Sequence, residues 1–388
     1  MKVLYYTSPA FLDIAVEIIN ILKQHVELHV MIELTPGSKI SNILEIDSLP
    51  KSPIIKSISE IIKKKDFKYL EPYFNGCASA NFIIHPNKYG YSFSTIKVSY
   101  QLWRFIKRIA PDIIHLEAMS LRSLGIVPHL FSNKKVFITI HDVIPHSSKR
   151  DWKISLPRFL YLNIPYSKCY FFYSQFSEAQ FEKKYKTSKH RKYTLKMRPY
   201  SFYNGFAKTE ILHKNYILFF GSLSPYKGLK ILVSAMALVL KEFPNENLVI
   251  AGTSKEGNLL NEESLQQNKH CITVLNRYIP SNELTDLIRK SKFVVCPYLD
   301  ATQSGVLMTS YALNKPVVAS SVGAFPEYIE ENVTGLLVPA NDKLKLADKI
   351  MFALKDNFYE TMGENISTKN KMQSWSDNLD ILLKAYSS

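Results

Sequence analysis

The sequence predicts two α/β domains of the doubly wound, Rossmann-like kind, and three observations carry that prediction. Both halves of the 388-residue chain alternate short apolar, β-rich runs with stretches of helical periodicity, the pattern of parallel strands joined by crossover helices. The length exceeds that of one ordinary domain. In the second half the apolar runs end in Gly, Pro or small polar residues that open directly into a helix, the junction beyond which open sheets bind ligands.

In the first half the expected strands are Val3–Tyr6, Val26–Met31, Ile113–His115, Val136–Ile140 and Tyr170–Tyr173, with helices over Ala10–Lys23 and Thr95–Ala110. Pro111 ends the second helix, because proline disfavours helical geometry in the residue before it. The second half reads as strands at Ile217–Phe220, Leu248–Ala251, Ile272–Leu275, Phe293–Cys296, Val317–Ala319 and Leu336–Val338. Helices are expected over Gly228–Lys241, Ser281–Lys290, Gly305–Leu313 and Leu344–Ala353, and Ser281 suits an N-cap. Periodicity lapses near residues 200–213, so the domains are set at 1–205 and 206–372, followed by a terminal segment, 373–388.

Composition narrows the function. Hydrophobic residues make up 46% and charged residues 21%, ordinary values for a globular chain. Cys77, Cys169, Cys271 and Cys296 form no paired spacing, which argues against a zinc site or a disulfide framework and suits a reducing compartment. The apolar start MKVLYYTSP is too short for a signal peptide and reads as a first strand. No run approaches the roughly 18–20 apolar residues that cross a bilayer, so a cytoplasmic location is expected. The net charge is +15, and its excess lies in one half: residues 1–205 hold 30 Lys+Arg against 15 Asp+Glu, and the rest holds 19 of each. Lys63, Lys64, Lys65 and Lys68 form one cluster; Lys183, Lys184, Lys186, Lys189, Arg191, Lys192, Lys196 and Arg198 form another. Such asymmetry points to a polyanionic partner, an anionic membrane surface at the inner face of the plasma membrane or an acidic glycan, or to a merely lysine-rich solvated surface; nucleic acid is not expected.

Four segments just beyond strand ends carry candidate chemistry. Gly221-Ser222-Leu223-Ser224-Pro225-Tyr226-Lys227-Gly228 combines a tight strand exit, a turn, a lysine and a helix start, the ingredients of a phosphate site; a surface loop with a solvated lysine has the same composition. Pro297 to Val306 leads into a helix at which the N–H groups of Ser304, Gly305 and Val306 form a second anion cradle, or else an ordinary serine cap. Thr139 to Pro145 places His141 and Asp142 after a strand, where a catalytic or sugar-contacting group belongs, although a lone histidine is as readily structural. His146 follows, with no third ligand to make a metal site, and His115 and Glu117 are weaker candidates. Ser321 to Glu327 holds a turn glycine, Gly323, and a helix-starting Pro326.

Together FFGSLSPYKG (219–228), VVCPYLDATQSGV (294–306) and KPVVASSVGAFPEYIEENVTGLLVP (315–339) resemble the retaining GT-B glycosyltransferases called glycosyl transferases group 1. PDIIHLE (111–117) and ITIHDVIP (138–145) resemble them more thinly, and Trp375–Tyr386 looks like the family's helix that crosses back to the first domain. The resemblance implies two Rossmann-like domains facing across a cleft. The first would take a glycan or lipid-linked acceptor and the second a UDP- or GDP-sugar, with retention and with neither metal nor cofactor. It implies that Lys227, Gly221, Ser222, Ser304, Gly305 and Val306 meet the donor phosphates. His141 would contact the donor sugar near the reacting centre; Asp142, Thr302, Gln303 and Ser310 would serve the sugar and ribose, and Arg277 and Tyr278 the base.

The departures are specific. Ser222 stands where the family usually has arginine, and Thr302 and Ser310 stand where many members have glutamates. Ser8-Pro9-Ala10 replaces a glycine-rich loop after the first strand. The expected function is a sugar transferase of bacterial surface polysaccharide synthesis. The alternatives are a non-catalytic GT-B protein that binds a nucleotide or partner, and a GT-B-fold nucleotide-sugar epimerase.

Overall fold

The computed structural model describes residues 1–388 except 39, 42, 63, 88–91, 132–134, 144–151, 164–165, 167, 186–189, 207–215 and 255–267, and at 41, 64–66 and 152–154 it describes only the backbone. His146, Pro145, Lys63, Lys186 and Lys189 thus lie outside the described residues.

The chain divides into two compact units, Met1–Lys196 with Trp375–Ser388, and Met197–Ser374. The boundary falls earlier than the sequence suggests. Residues 197–205 belong to the second unit, where the 3-10 turn Ser201–Phe206 buries Phe202 and Tyr203, and Arg198 donates to Gln373 Oε1 at 2.8 Å.

The sheet of the first unit is built from β1 (Lys2–Thr7), β2 (Glu27–Leu34), β3 (Ile54–Ser57), β4 (Ser79–Ile84), β5 (Ile113–Leu116), β6 (Lys135–Thr139), β7 (Lys168–Phe172) and β8 (Arg191–Thr194). Their order is β8-β7-β6-β5-β1-β2-β4-β3. All neighbours are parallel except β3, which runs antiparallel to β4. The helices α1 (Leu12–Leu22), α2 (Lys64–Phe74), α3 (Phe93–Ile109), α4 (Trp152–Asn163) and α5 (Gln175–Tyr185) connect them. α3 shows why the chain folds this way locally. Val98, Leu102, Phe105, Ile106 and Ile109 recur at helical spacing, and they pack against Leu4, Met31 and Ile83 of the sheet.

The second sheet consists of β9 (Tyr216–Phe220), β10 (Leu248–Gly252), β11 (Ile272–Asn276), β12 (Ser291–Cys296), β13 (Val317–Ser320) and β14 (Gly335–Val338). Its order is β11-β10-β9-β12-β13-β14, parallel throughout. Taken in chain order this is 3-2-1-4-5-6, the dinucleotide-fold arrangement, whose order reverses between β9 and β12. Both strands are buried on two faces over most of their length, so β9 reads as an apolar run throughout and β12 from Phe293 to Cys296. Around them lie α6 (Leu229–Glu242), α7 (Ser281–Lys290), α8 (Gly305–Ala312), α9 (Lys343–Leu354) and α10 (Phe358–Met372). Leu229, Leu232, Val233, Met236 and Val239 of α6 share one core with Leu346 and Ile350 of α9.

The chain then returns to the first unit through the turn Trp375–Asn378 and α11 (Leu379–Ser387). Asn378 fastens this return, its side chain accepting from Lys196 N at 2.7 Å and donating to Lys196 O at 2.9 Å. Tyr386 of α11 is buried, its hydroxyl 2.6 Å from His115 Nδ1.

Candidate functional site

The reversal between β9 and β12 places two loops side by side at the carboxyl ends of the sheet, where doubly wound folds take their ligands. Gly221 leaves β9 at φ +107°, and a Cβ there would lie 2.9 Å from Lys227 Nζ and 3.4 Å from Val306 Cγ2. Those two distances bring the lysine of the first loop and the first turn of α8 to the same glycine. Gly228, at φ +69°, opens α6, and a Cβ on it would meet Pro297 O at 1.9 Å. The loops also share a backbone bond, Leu299 N donating to Tyr226 O at 2.7 Å.

Lys227 is only 8% exposed. Its ammonium sits 5.2 Å from the Tyr298 ring centroid, and Tyr298 is held edge-on by Phe325 at 5.4 Å. Burial pulls the lysine down to about 8, opposed weakly by the Cys296 sulfur, and no described carboxylate pairs with it. A buried cation in that condition is costly until an anion arrives. Beside it, Ser304 caps α8, its hydroxyl accepting from Leu307 N at 3.3 Å. This leaves the N–H groups of Gly305 and Val306 at the open end of the helix. Ser222 is exposed, its hydroxyl 2.7 Å from that of Ser224. Thr302 is buried and Gln303 half-buried in the loop before α8.

One expectation needs correction. Ser310, placed by the family pattern at the ribose, is fully buried and donates to Val306 O at 2.7 Å within α8, so its hydroxyl presents nothing to a ligand. Arg277 emerges from β11, the edge strand two places from the reversal, and its guanidinium is bound to Glu283 on α7, with one contact of 2.8 Å, and to Tyr278 O at 3.2 Å. It therefore ties the end of β11 to α7.

The first unit holds its own polar cluster at its own reversal, between β1 and β5. Glu117, just beyond β5, accepts from Thr7 Oγ1 at 3.0 Å and lies 3.4 Å from His141 Nε2. His141 follows β6, buried, its ring stacked on Phe11 with centroids 3.9 Å apart and planes 6° from parallel. Asp13, in the first turn of α1, is raised to about 6 by burial; its bond from Ile14 N and the nearby His141 oppose that, and Glu117 adds to it. Asp142 follows His141, half-buried. Phe11 and Asp13 were not legible as site residues, because in sequence they belong to an amphipathic helix. Glu117, a weaker candidate in the sequence, proves central to the cluster. His115 is structural: it bridges Tyr386 and Thr139 Oγ1 at 2.8 Å, and burial pushes it down to about 3. Among the described residues no three His, Cys, Asp or Glu side chains gather as a metal site.

Two parallel α/β units with these connections define the GT-B fold class. A sucrose-phosphate synthase of Thermosynechococcus elongatus superposes with a TM-score of 0.69 at 17% identity, over 100% of this chain and 98% of that one. HepE of Anabaena, solved in complex with UDP, superposes with a TM-score of 0.67 at 14% identity over 99% of each chain. Residues 214–356 match the family described as glycosyl transferases group 1, so the second unit is a domain of that family. Among curated proteins the chain is similar to an uncharacterized glycosyltransferase of Methanocaldococcus jannaschii, 30% identical over 47% of this chain and 51% of that protein. It is also similar to a D-inositol 3-phosphate glycosyltransferase of Corynebacterium efficiens, 30% identical over 45% and 43%. The matched stretch thus spans about half the length of these relatives.

Proposed function

We propose that the chain is a retaining, metal-independent glycosyltransferase that moves a sugar from a nucleotide-sugar donor to a glycan or lipid-linked acceptor in the building of a surface polysaccharide. The observation that carries this reading is Lys227, a buried ammonium without a described carboxylate partner, set against the open N-terminus of α8 at the sheet's reversal. When the bond between an anomeric carbon and a diphosphate breaks, negative charge builds on the leaving phosphate. A preorganised cation and the N–H groups of Gly305 and Val306 are suited to meet it without a metal ion. UDP is favoured over GDP because structural relatives were solved with UDP and with UDP-glucose. In the first unit, the His141, Glu117 and Asp13 cluster offers the donors and acceptors that a hydroxyl-rich ligand needs.

The test is release of UDP from UDP-sugars in the presence of a panel of glycan and lipid-linked acceptors, with chelator present throughout. Turnover that survives chelator and is lost in Lys227→Met supports the reading. A second reading is favoured by Ser222 and by the burial of Ser310, which remove an expected charge and an expected ribose contact. It makes the chain a nucleotide-binding protein without transfer activity, and nucleotide binding with no turnover on any acceptor would select it.

A further inference from the structure

The solvent side of α3 carries apolar and basic residues in separate halves. Its amino-terminal half exposes Phe93 (92%), Ile96 (67%) and Tyr100 (56%), and its carboxyl-terminal half exposes Arg104, Lys107 and Arg108. Residues 72–111 contain no Asp or Glu, so nothing on the helix offsets these cations. Along one flank runs an apolar groove of about 1020 Å³, which α3 shares with Leu121, Leu124, Pro128 and Leu156. Along the other flank runs a polar groove of about 870 Å³, lined by Arg104, Lys107, Arg108 and the Lys56–Glu60 pair. Trp103 borders both grooves. An apolar trough joined to a cationic one through a tryptophan matches the section of a phospholipid layer, in which acyl chains lie beside phosphates and indole rings settle between.

We propose that α3 docks the chain on an anionic phospholipid bilayer, its apolar half and groove taking acyl chains and its basic half the headgroup phosphates. For its purpose the inference rests on the lipid-linked acceptor reading; for its physics it rests on this face alone. Charge decides the occupant. Two copies meeting through α3 would bring Arg104, Lys107 and Arg108 of each together with no acidic residue on the helix between them. An anionic bilayer satisfies both halves at once.

The experiment is sedimentation of the full chain with vesicles of phosphatidylcholine, alone or with about one quarter phosphatidylglycerol, at low and high salt. We expect at least about tenfold more protein on the anionic vesicles at low salt. K107E/R108E should abolish that excess, and F93S/I96S should remove the fraction that resists high salt. All four side chains are exposed, so neither variant disturbs the core. Circular dichroism melts, which report on both units, check the folding of each variant, and UDP binding, a property assigned to the other unit, separates the two readings. Absence of anionic-vesicle binding in a chain that still binds UDP would overturn this proposal alone. Equal recovery on neutral vesicles, unchanged binding by both variants, or self-association abolished by F93S/I96S would likewise overturn it, the last assigning the face to a second copy.

Discussion

Replacing Lys227 by Met should make the ligand-free protein more stable while removing its affinity for nucleotides. The ammonium is buried and its proton is held only up to about pH 8, against 10.5 for a free lysine. Because the unfolded chain keeps that proton to higher pH, the lysine weakens the fold increasingly as pH falls from 10.5 toward 8, and the cost is fully present below 8. At roughly 1.4 kcal/mol for each pH unit of that gap, the cost is about 3 kcal/mol at pH 7 and about 1 kcal/mol at pH 9.5. Methionine fills a similar volume and carries no charge. Urea unfolding at the two pH values should therefore show Lys227→Met more stable by about 3 and about 1 kcal/mol. For a domain of this size the first figure corresponds to a rise in Tm of roughly 6–12 °C. Saturating UDP should raise the stability of the native chain and leave the variant unchanged. A variant less stable than the native chain at pH 7 would show that the ammonium is already neutralised, and the argument for an anion site would fail.

Other outcomes follow from the same geometry. Ser310→Ala should leave UDP affinity within about twofold, since the hydroxyl is spent inside α8, and a tenfold loss by calorimetry would restore it to the ribose site. Gly228→Ala should cost at least about 2 kcal/mol in denaturant unfolding, because a left-handed backbone is combined with a Cβ driven into Pro297 O. Tyr386→Phe removes the bond to His115 and should cost about 1–2 kcal/mol in unfolding of the first unit, with UDP affinity unmoved. The Asp13 carboxyl holds its proton up to about 6, so it contributes stability at low pH that is lost as pH rises through 6. Asp13→Asn should flatten that part of the stability profile in melts taken between pH 4 and 7, and an unchanged profile would refute the assignment.

The second unit was largely legible in the sequence, because its strands are buried on both faces and each ends in a residue that must turn. The reversal of strand order could not be read there, since no local pattern says which strand lies beside β9. In the first unit β3, β4 and β8 were missed. β3 and β8 are edge strands of four half-buried or exposed residues, and β4 alternates too weakly to stand out from loop. At the candidate site, Gly221, Lys227 and Ser304 could be singled out in the sequence because loop chemistry marks them. Ser310 was misplaced because it resembles a ligand contact by position, and only packing reveals that it bonds its own helix.

The central claim, that Lys227 and the start of α8 form a diphosphate site, is tested most directly by calorimetric titration of the full chain with UDP at pH 7 and pH 9, in buffers of different ionisation heat. The account predicts tighter binding at pH 7. At pH 9 it predicts uptake of close to one proton on binding, because the diphosphate recharges a lysine that is mostly neutral there, and it predicts no uptake in Lys227→Met. Equal affinity at the two pH values with no proton uptake, or binding unchanged in the variant, would contradict it.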